Sequence, residues 1–185
     1  MKQSLPAAVL CLILAAALVP ASSAGAETCH TFGPGQFYNA MHICVSSALA
    51  SQSQNSYGPG NLADGDQNTA WCEDAPDQGV GEGEWIEIRW DSPMEFKTLW
   101  LGNGYNKNSA SHFNNCRPKD VRVETSDGLA TETTLLDQQS EQPIFLPRAV
   151  NADWVRITIL SVYPGEKYTD TCMDEIWADL EELGF

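Results

Sequence analysis

The stretch Glu84-Trp85-Ile86-Glu87-Ile88-Arg89-Trp90 decides the fold class. Ile86, Ile88 and Trp90 fall on one side and charged residues on the other, the period of two of a half-buried strand. Trp154-Val155-Arg156-Ile157-Thr158-Ile159 repeats the pattern, with Val155, Ile157 and Ile159 on one face. Lys119 to Glu124 does so again, with Val121 and Val123 inward. Runs over 96–101, 131–136 and 142–146 read as further strands, and 176–183 as a strand or a short helix. Clusters of Gly, Pro, Asn and Asp separate these runs, and no long amphipathic helix competes with them. The expected fold is all-β, a jelly-roll β-sandwich. Trp71, Trp90 and Trp100 are expected in the core, while Trp85, Trp154 and Trp177 are out of phase with their aliphatic faces and are expected at the sandwich edge. Two connections, 72–84 and 102–118, are long for a compact domain, and long ordered loops tend to carry function.

Outward from this core, the chain begins with a different composition. Lys2 precedes an apolar run from Leu5 to Val19, Pro20 follows, and Ala24-Gly25-Ala26 has the small residues of a cleavage site. This layout is that of a secretory signal peptide over 1–26, and the run is too short for a spanning helix. No later segment is apolar enough to cross a membrane. Residues 27–43 then form an N-terminal extension and 44–185 the sandwich domain, secreted or periplasmic. The formal charge of −15 argues against nucleic acid as a partner and suits calcium or simple solubility. Beyond Cys11 there are five cysteines, Cys29, Cys44, Cys72, Cys116 and Cys172. Export favours disulfides, the odd number leaves at least one free or bonded outside the chain, and spacing does not choose among the pairings. Cys29, His30, His42 and Cys44 have the residue types of a zinc site, but neither the spacing of a finger nor the compartment favours one.

Asn61-Leu62-Ala63-Asp64-Gly65-Asp66-Gln67-Asn68-Thr69-Ala70-Trp71 crowds oxygen donors around a glycine. Such a turn suits calcium, which accepts carboxylates and backbone carbonyls together, although Asp and Gly are common in any turn. This run, with Tyr57-Gly58-Pro59-Gly60 before it, resembles the opening of a discoidin, or F5/8 type C-like, galactose-binding-like domain. Glu84 to Ile88, Arg117-Pro118-Lys119-Asp120-Val121, Thr125-Ser126-Asp127-Gly128, Trp154 to Ile157 and Asp174-Glu175-Ile176 resemble that family's later strands in the same order. Asn103-Gly104-Tyr105, Lys107, Asn115, Tyr163-Pro164-Gly165 and Asp170-Thr171-Cys172 look like a narrower bacterial group. It is similar to the non-catalytic translocation domain of streptococcal NAD glycohydrolase, which is associated with glycan binding. No catalytic domain follows in this sequence, so the toxin's activity is not expected.

The resemblance implies a structural calcium held by Asp64, Asp66, Thr69 and Glu175 with the backbone carbonyl of Leu62. It also implies that Cys72 and Cys172 share one end of the sandwich and pair, with Cys29–Cys44 the next pair and Cys116 left over. The two long loops correspond to the tip loops that hold ligand in such domains. Sugar recognition wants an aromatic face and polar groups that read hydroxyls. Tyr105 is the candidate for stacking, and Lys107, His112, Asn115, Arg117, Glu73 and Asp74 are the polar candidates. The sequence carries no Gly-x-Ser-x-Gly, His-Glu-x-x-His, Cys-x-x-Cys or P-loop motif, so an enzyme is not expected. The leading expectation is a secreted module binding a glycan or cell-surface glycoconjugate. A protein-interaction or adhesion domain is the alternative, and a small hydrolase using two loop carboxylates the third reading.

Overall fold

The computed structural model describes residues 27–74 and 80–180. The expected signal peptide, the centre of the 72–84 loop and the last five residues lie outside the described residues. The strands are β1 (Thr28–Phe32), β2 (Met41–Val45), β3 (Trp71–Cys72), β4 (Trp85–Asn103), β5 (Arg117–Pro118), β6 (Asp120–Thr125), β7 (Ala130–Thr134), β8 (Glu141–Ile159), β9 (Val162–Tyr163) and β10 (Cys172–Ala178). A 3-10 turn covers Pro59–Leu62 and a short helix α1 covers Ser109–Asn114. The chain is an all-β galactose-binding-like sandwich, as the alternating runs led us to expect.

One antiparallel ladder serves both layers. Its path is β1-β2-β4-β8-β6-β7, with β10 joining β4 and β3, and β5–β9 form a separate ribbon. β4 and β8 pair from Trp85↔Thr158 to Gly102↔Glu141, with register shifts between Arg89 and Met94 and between Phe96 and Thr98. The first half of β4 pairs with β2 and the second half with β10. The sequence reading treated each long strand as two. Pro93 and Pro147 sit at the irregular stretches, where a missing N–H interrupts the ladder and lets it bend between layers without ending. Residues 176–178 continue β10, which settles the strand-or-helix ambiguity as far as the described residues go.

The inward faces close the core. Ile86, Ile88 and Trp90 meet Val121, Val123, Val155, Ile157 and Ile159, with Phe96, Leu99, Leu101, Trp71 and Ile176 between them. Burying one such aliphatic side chain contributes about 2 kcal/mol. Trp100 is a correction: it is only partly buried and stacks on Trp177 across the β4–β10 pair, 6.3 Å between centroids. The expected boundary at residue 43 is also displaced. β2 straddles it, pairs with Trp90–Ile86 of β4 and buries Ile43 and Val45, while β1 pairs with β2. The hairpin therefore belongs to the sheet. The Cys29–Cys44 disulfide joins opposite residues of that hairpin, and Cys72–Cys172 joins opposite residues of β3 and β10. Among the described residues Cys116 is the free cysteine, and it is buried.

Candidate ligand-binding cleft

At one end of the sandwich, three segments meet around an open cavity of about 480 Å³. The 102–118 connection supplies Tyr105, Asn108, Ser111, Asn114 and Asn115, the segment before β3 supplies Gln52 and Tyr57, and the segment before β10 supplies Tyr168 and Asp170. Local chemistry shapes the first segment. The Asn108 side chain accepts from the Ser111 N–H at 2.9 Å, which caps and starts α1. The third segment docks on the helix end: the N–H groups of Glu166, Lys167 and Tyr168 donate to the carbonyls of Phe113, Asn114 and Asn114. Gly165 permits that approach, because a Cβ there would meet the Tyr168 carbonyl and lie 2.6 Å from the Asn114 carbonyl. Tyr168 is thereby presented to solvent with 44% of its surface exposed.

The sequence-derived ligand residues divide into two groups. Tyr105 and Asn115 line the cleft, but neither is free: the Tyr105 hydroxyl donates to the Asn68 carbonyl at 2.8 Å, and Asn115 Nδ2 donates to the Ser111 carbonyl. Tyr105 packs against the Cys72–Cys172 bond and is 8% exposed, so it forms floor and offers no open stacking face. Asp74 is exposed beside the cleft, close enough to Asp170 to raise its pKa. Glu73 is buried and accepts from the Thr171 N–H at 2.9 Å, so it braces β10. Lys107 is exposed and near Asp66, outside the cleft lining.

His112 and Arg117 are corrections as ligand contacts, because both are internal. Arg117 donates through Nε and Nη2 to Asp137 at 2.7 and 3.1 Å and through Nη1 to the His112 and Asn115 carbonyls. His112 Nδ1 lies 2.9 Å from Asn106 Oδ1, and Nε2 lies 3.5 Å from Asp137 Oδ1. Burial, with Arg117 adjacent, lowers the His112 pKa, so the imidazole is neutral at pH 7 and that last contact is no ion pair. Arg117 thus ties together the end of α1, the 163–170 segment through Pro164, and Asp137 before β8.

The acidic turn lies beside β10. The Gly65 N–H donates to Glu175 Oε1 at 2.7 Å, Thr69 Oγ1 donates to Asp64 Oδ2, and the Asp66 N–H donates to Asp64 Oδ1. Backbone and side-chain bonds from Asn68 lower the Asp66 pKa, whereas burial, with Asp64 and Asp174 near, pushes Glu175 up to about 7. Leu62, whose carbonyl was the fifth expected ligand, is buried at the end of the 3-10 turn. The donors are all hard oxygens, and a half-compensated carboxylate at Glu175 is what a divalent cation would satisfy. The zinc alternative at Cys29 and Cys44 has no thiolates, since those sulfurs are bonded to each other.

The sequence profile of the NAD glycohydrolase translocation F5/8 type C domain matches residues 37–179. The chain belongs to that family. Comparison with curated protein sequences finds no match. Among solved structures, this F5/8 type C domain resembles the family 32 carbohydrate-binding module of Clostridium perfringens NanJ, solved in complex with galactose. The TM-score is 0.56 at 14% identity, over 75% of this chain and 92% of that one. It likewise resembles the Clostridium perfringens module CpGH89CBM32-5, in complex with GalNAc-β-1,3-galactose, with TM-score 0.58 at 15% identity over 75% and 94% of the two chains. An F5/8 type C domain from Bacteroides fragilis matches with TM-score 0.55 at 16% identity, over 75% and 89%. These likenesses carry the fold.

Sequence reasoning missed Tyr57, Tyr168 and Asp170 as cleft residues. The signal that was available is the aromatic in each flanking turn, next to Gly58 and between Tyr163-Pro164-Gly165 and Asp170-Thr171-Cys172. Neither tyrosine lies in the 72–84 or 102–118 connection, from which the ligand contacts were expected.

Proposed function

We propose that this translocation-family domain is a non-catalytic binding module that takes a carbohydrate in the tyrosine-lined cleft. The observation that carries this reading is the meeting of Tyr57 and Tyr168, over the floor that Tyr105 forms, with the polar side chains of Gln52, Asn108 and Asn114 on one open cavity of sugar size. Aromatic rings cover the C–H face of a pyranose, and amides both donate to and accept from its hydroxyls. The ligands of the two clostridial neighbours support the choice of ligand class. The two disulfides suit an oxidising exterior, and among the described residues no helix is long and apolar enough to cross a membrane.

A glycan-array screen tests the reading. Specific hits are expected for the native protein, and Tyr168→Ala is expected to weaken them at least tenfold, about 1.4 kcal/mol or more. Because Tyr168 is exposed, its thermal midpoint should stay within about 1–2 °C of the native value. A blank array with folded protein would move the assignment to a protein-interaction domain.

The second part of the proposal is a structural calcium on Asp64, Asp66, Thr69, Glu175 and the Leu62 carbonyl, which would pin the acidic turn to β10. Its signature is a pH dependence. Burial pushes Glu175 up to about 7 and Asp174 up to about 6. Carboxyls raised above their unfolded values of about 4 stabilise the fold while protonated, and this contribution is lost as pH rises through the folded values. In chelator, Glu175 alone should cost on the order of 2 kcal/mol between pH 5 and 8. His112, whose pKa is lowered, works in the opposite direction, so the readout is the difference between native protein and Glu175→Gln. Calcium should raise the midpoint of the native protein at pH 8 and leave Glu175→Gln nearly unmoved. Equal responses would remove Glu175 from the site.

A further inference from the structure

Resting on the carbohydrate reading of the cleft, we infer that the glycan it selects carries a protonated amine, held by Asp170 among the tyrosines. Asp170 lines the cavity together with Tyr57, Tyr105 and Tyr168. Among the described residues no lysine, arginine or histidine lines it, and none forms an ion pair with Asp170. Two cations lie near and neither pairs with Asp170: Arg117, which follows Cys116 whose N–H donates to the Asp170 carbonyl, is committed to Asp137, and the Lys167 ammonium lies over the Tyr168 ring, 4.8 Å from its centroid. The carboxylate is part-buried and has Asp74 as a like-charged neighbour, and both raise its pKa. A carboxylate in that position is stabilised by an incoming cation and not by another anion. Tyrosine faces act in the same direction, since their quadrupoles attract ammonium groups. The chain's charge of −15 adds a field that concentrates cationic ligands and repels uronates, sialates and sulfated sugars. An amino sugar combines the pyranose faces that the tyrosines cover with the ammonium that Asp170 lacks.

Calorimetric titration of the protein with three oligosaccharides of equal length tests this: a glucosamine oligomer, its N-acetylated counterpart and a galacturonate oligomer, at a pH where the amine is protonated. The glucosamine oligomer should bind roughly tenfold more tightly than the N-acetylated one, with the galacturonate weakest. Asp170→Asn should bring the first ratio close to one, and Tyr168→Ala should weaken binding of the glucosamine oligomer. If the N-acetylated oligomer binds as well or better and Tyr168→Ala abolishes that binding, the carbohydrate reading stands and the amine inference falls. An amine preference that survives Asp170→Asn also overturns it. Failure of all three sugars, or of a wider array, removes both.

Discussion

Replacing Cys72 and Cys172 together by alanine is expected to lower the unfolding free energy by about 4–5 kcal/mol. The bond closes a loop of 100 residues, and the entropy it removes from the unfolded chain grows with the logarithm of loop length. Cys29–Cys44 closes only 15 residues, so the same argument gives about 3 kcal/mol for it. The longer bond also has a native-state role. β3 is two residues long and pairs with β10 through Cys172↔Cys72 and Met173↔Trp71, a contact that the Glu73–Thr171 hydrogen bonds extend by one residue. Tyr105 packs on the bridge as cleft floor. Urea denaturation of the two double variants checks both the size and the order of the effects. A larger loss on removing Cys29–Cys44 would contradict the chain-entropy account and place the dominant contribution in local strand pairing.

The two disulfides also mark how far the sequence could be read. Neither pairing followed from spacing; Cys72–Cys172 came from the order of motifs that the chain shares with its family, and Cys29–Cys44 followed as the pair that ties down the N-terminal extension. The β-sandwich was legible because Ile86, Ile88, Val155 and Ile157 obey a period of two over enough residues to be unambiguous. The continuity of β4 and β8 was not legible, because Pro93 and Pro147 read as ends and act as bends. Tyr105 and Asn115 do line the candidate cleft, but for a reason that the loop alone did not give. A long loop with Lys, His, Asn and Arg was read as facing ligand, yet it folds on itself. Arg117 finds its partner in Asp137, twenty residues later and in no recognisable pattern with it, and His112 is buried beside them. A charged side chain carries no local mark of whether its partner lies inside the protein or outside. Tyr57 and Tyr168 were missed for the complementary reason, since a turn residue reaches a site only when another segment docks beside it.

Arg117→Met is expected to cost about 2–4 kcal/mol and to remove ligand binding with it. The guanidinium is 4% exposed and joins Asp137 to the carbonyls of His112 and Asn115. Removing it leaves the buried carbonyls it serves and the part-exposed Asp137 carboxylate without their donor; water can reach the carboxylate, so most of the penalty falls on the buried carbonyls. Arg117→Lys should recover only part of the loss, because an ammonium cannot reproduce the two-pronged contact with Asp137. Two nuclear magnetic resonance titrations separate this from a simple loss of packing. Hydrogen bonds from Arg117 hold Asp137 below the ordinary carboxylate range, so its pKa should rise in the variant. Arg117 also helps to depress His112, so that pKa should rise as well. The contrast with the cleft rim is diagnostic. Tyr168→Ala should lose ligand while keeping stability, whereas Arg117→Met should lose both, since the residue holds α1 and the 163–170 segment against each other. Adding Asp137→Leu to Arg117→Met should restore some stability by removing the orphaned charge, and it should not restore binding. If the double variant were less stable than Arg117→Met alone, the cost would lie in lost volume and not in an unpaired carboxylate.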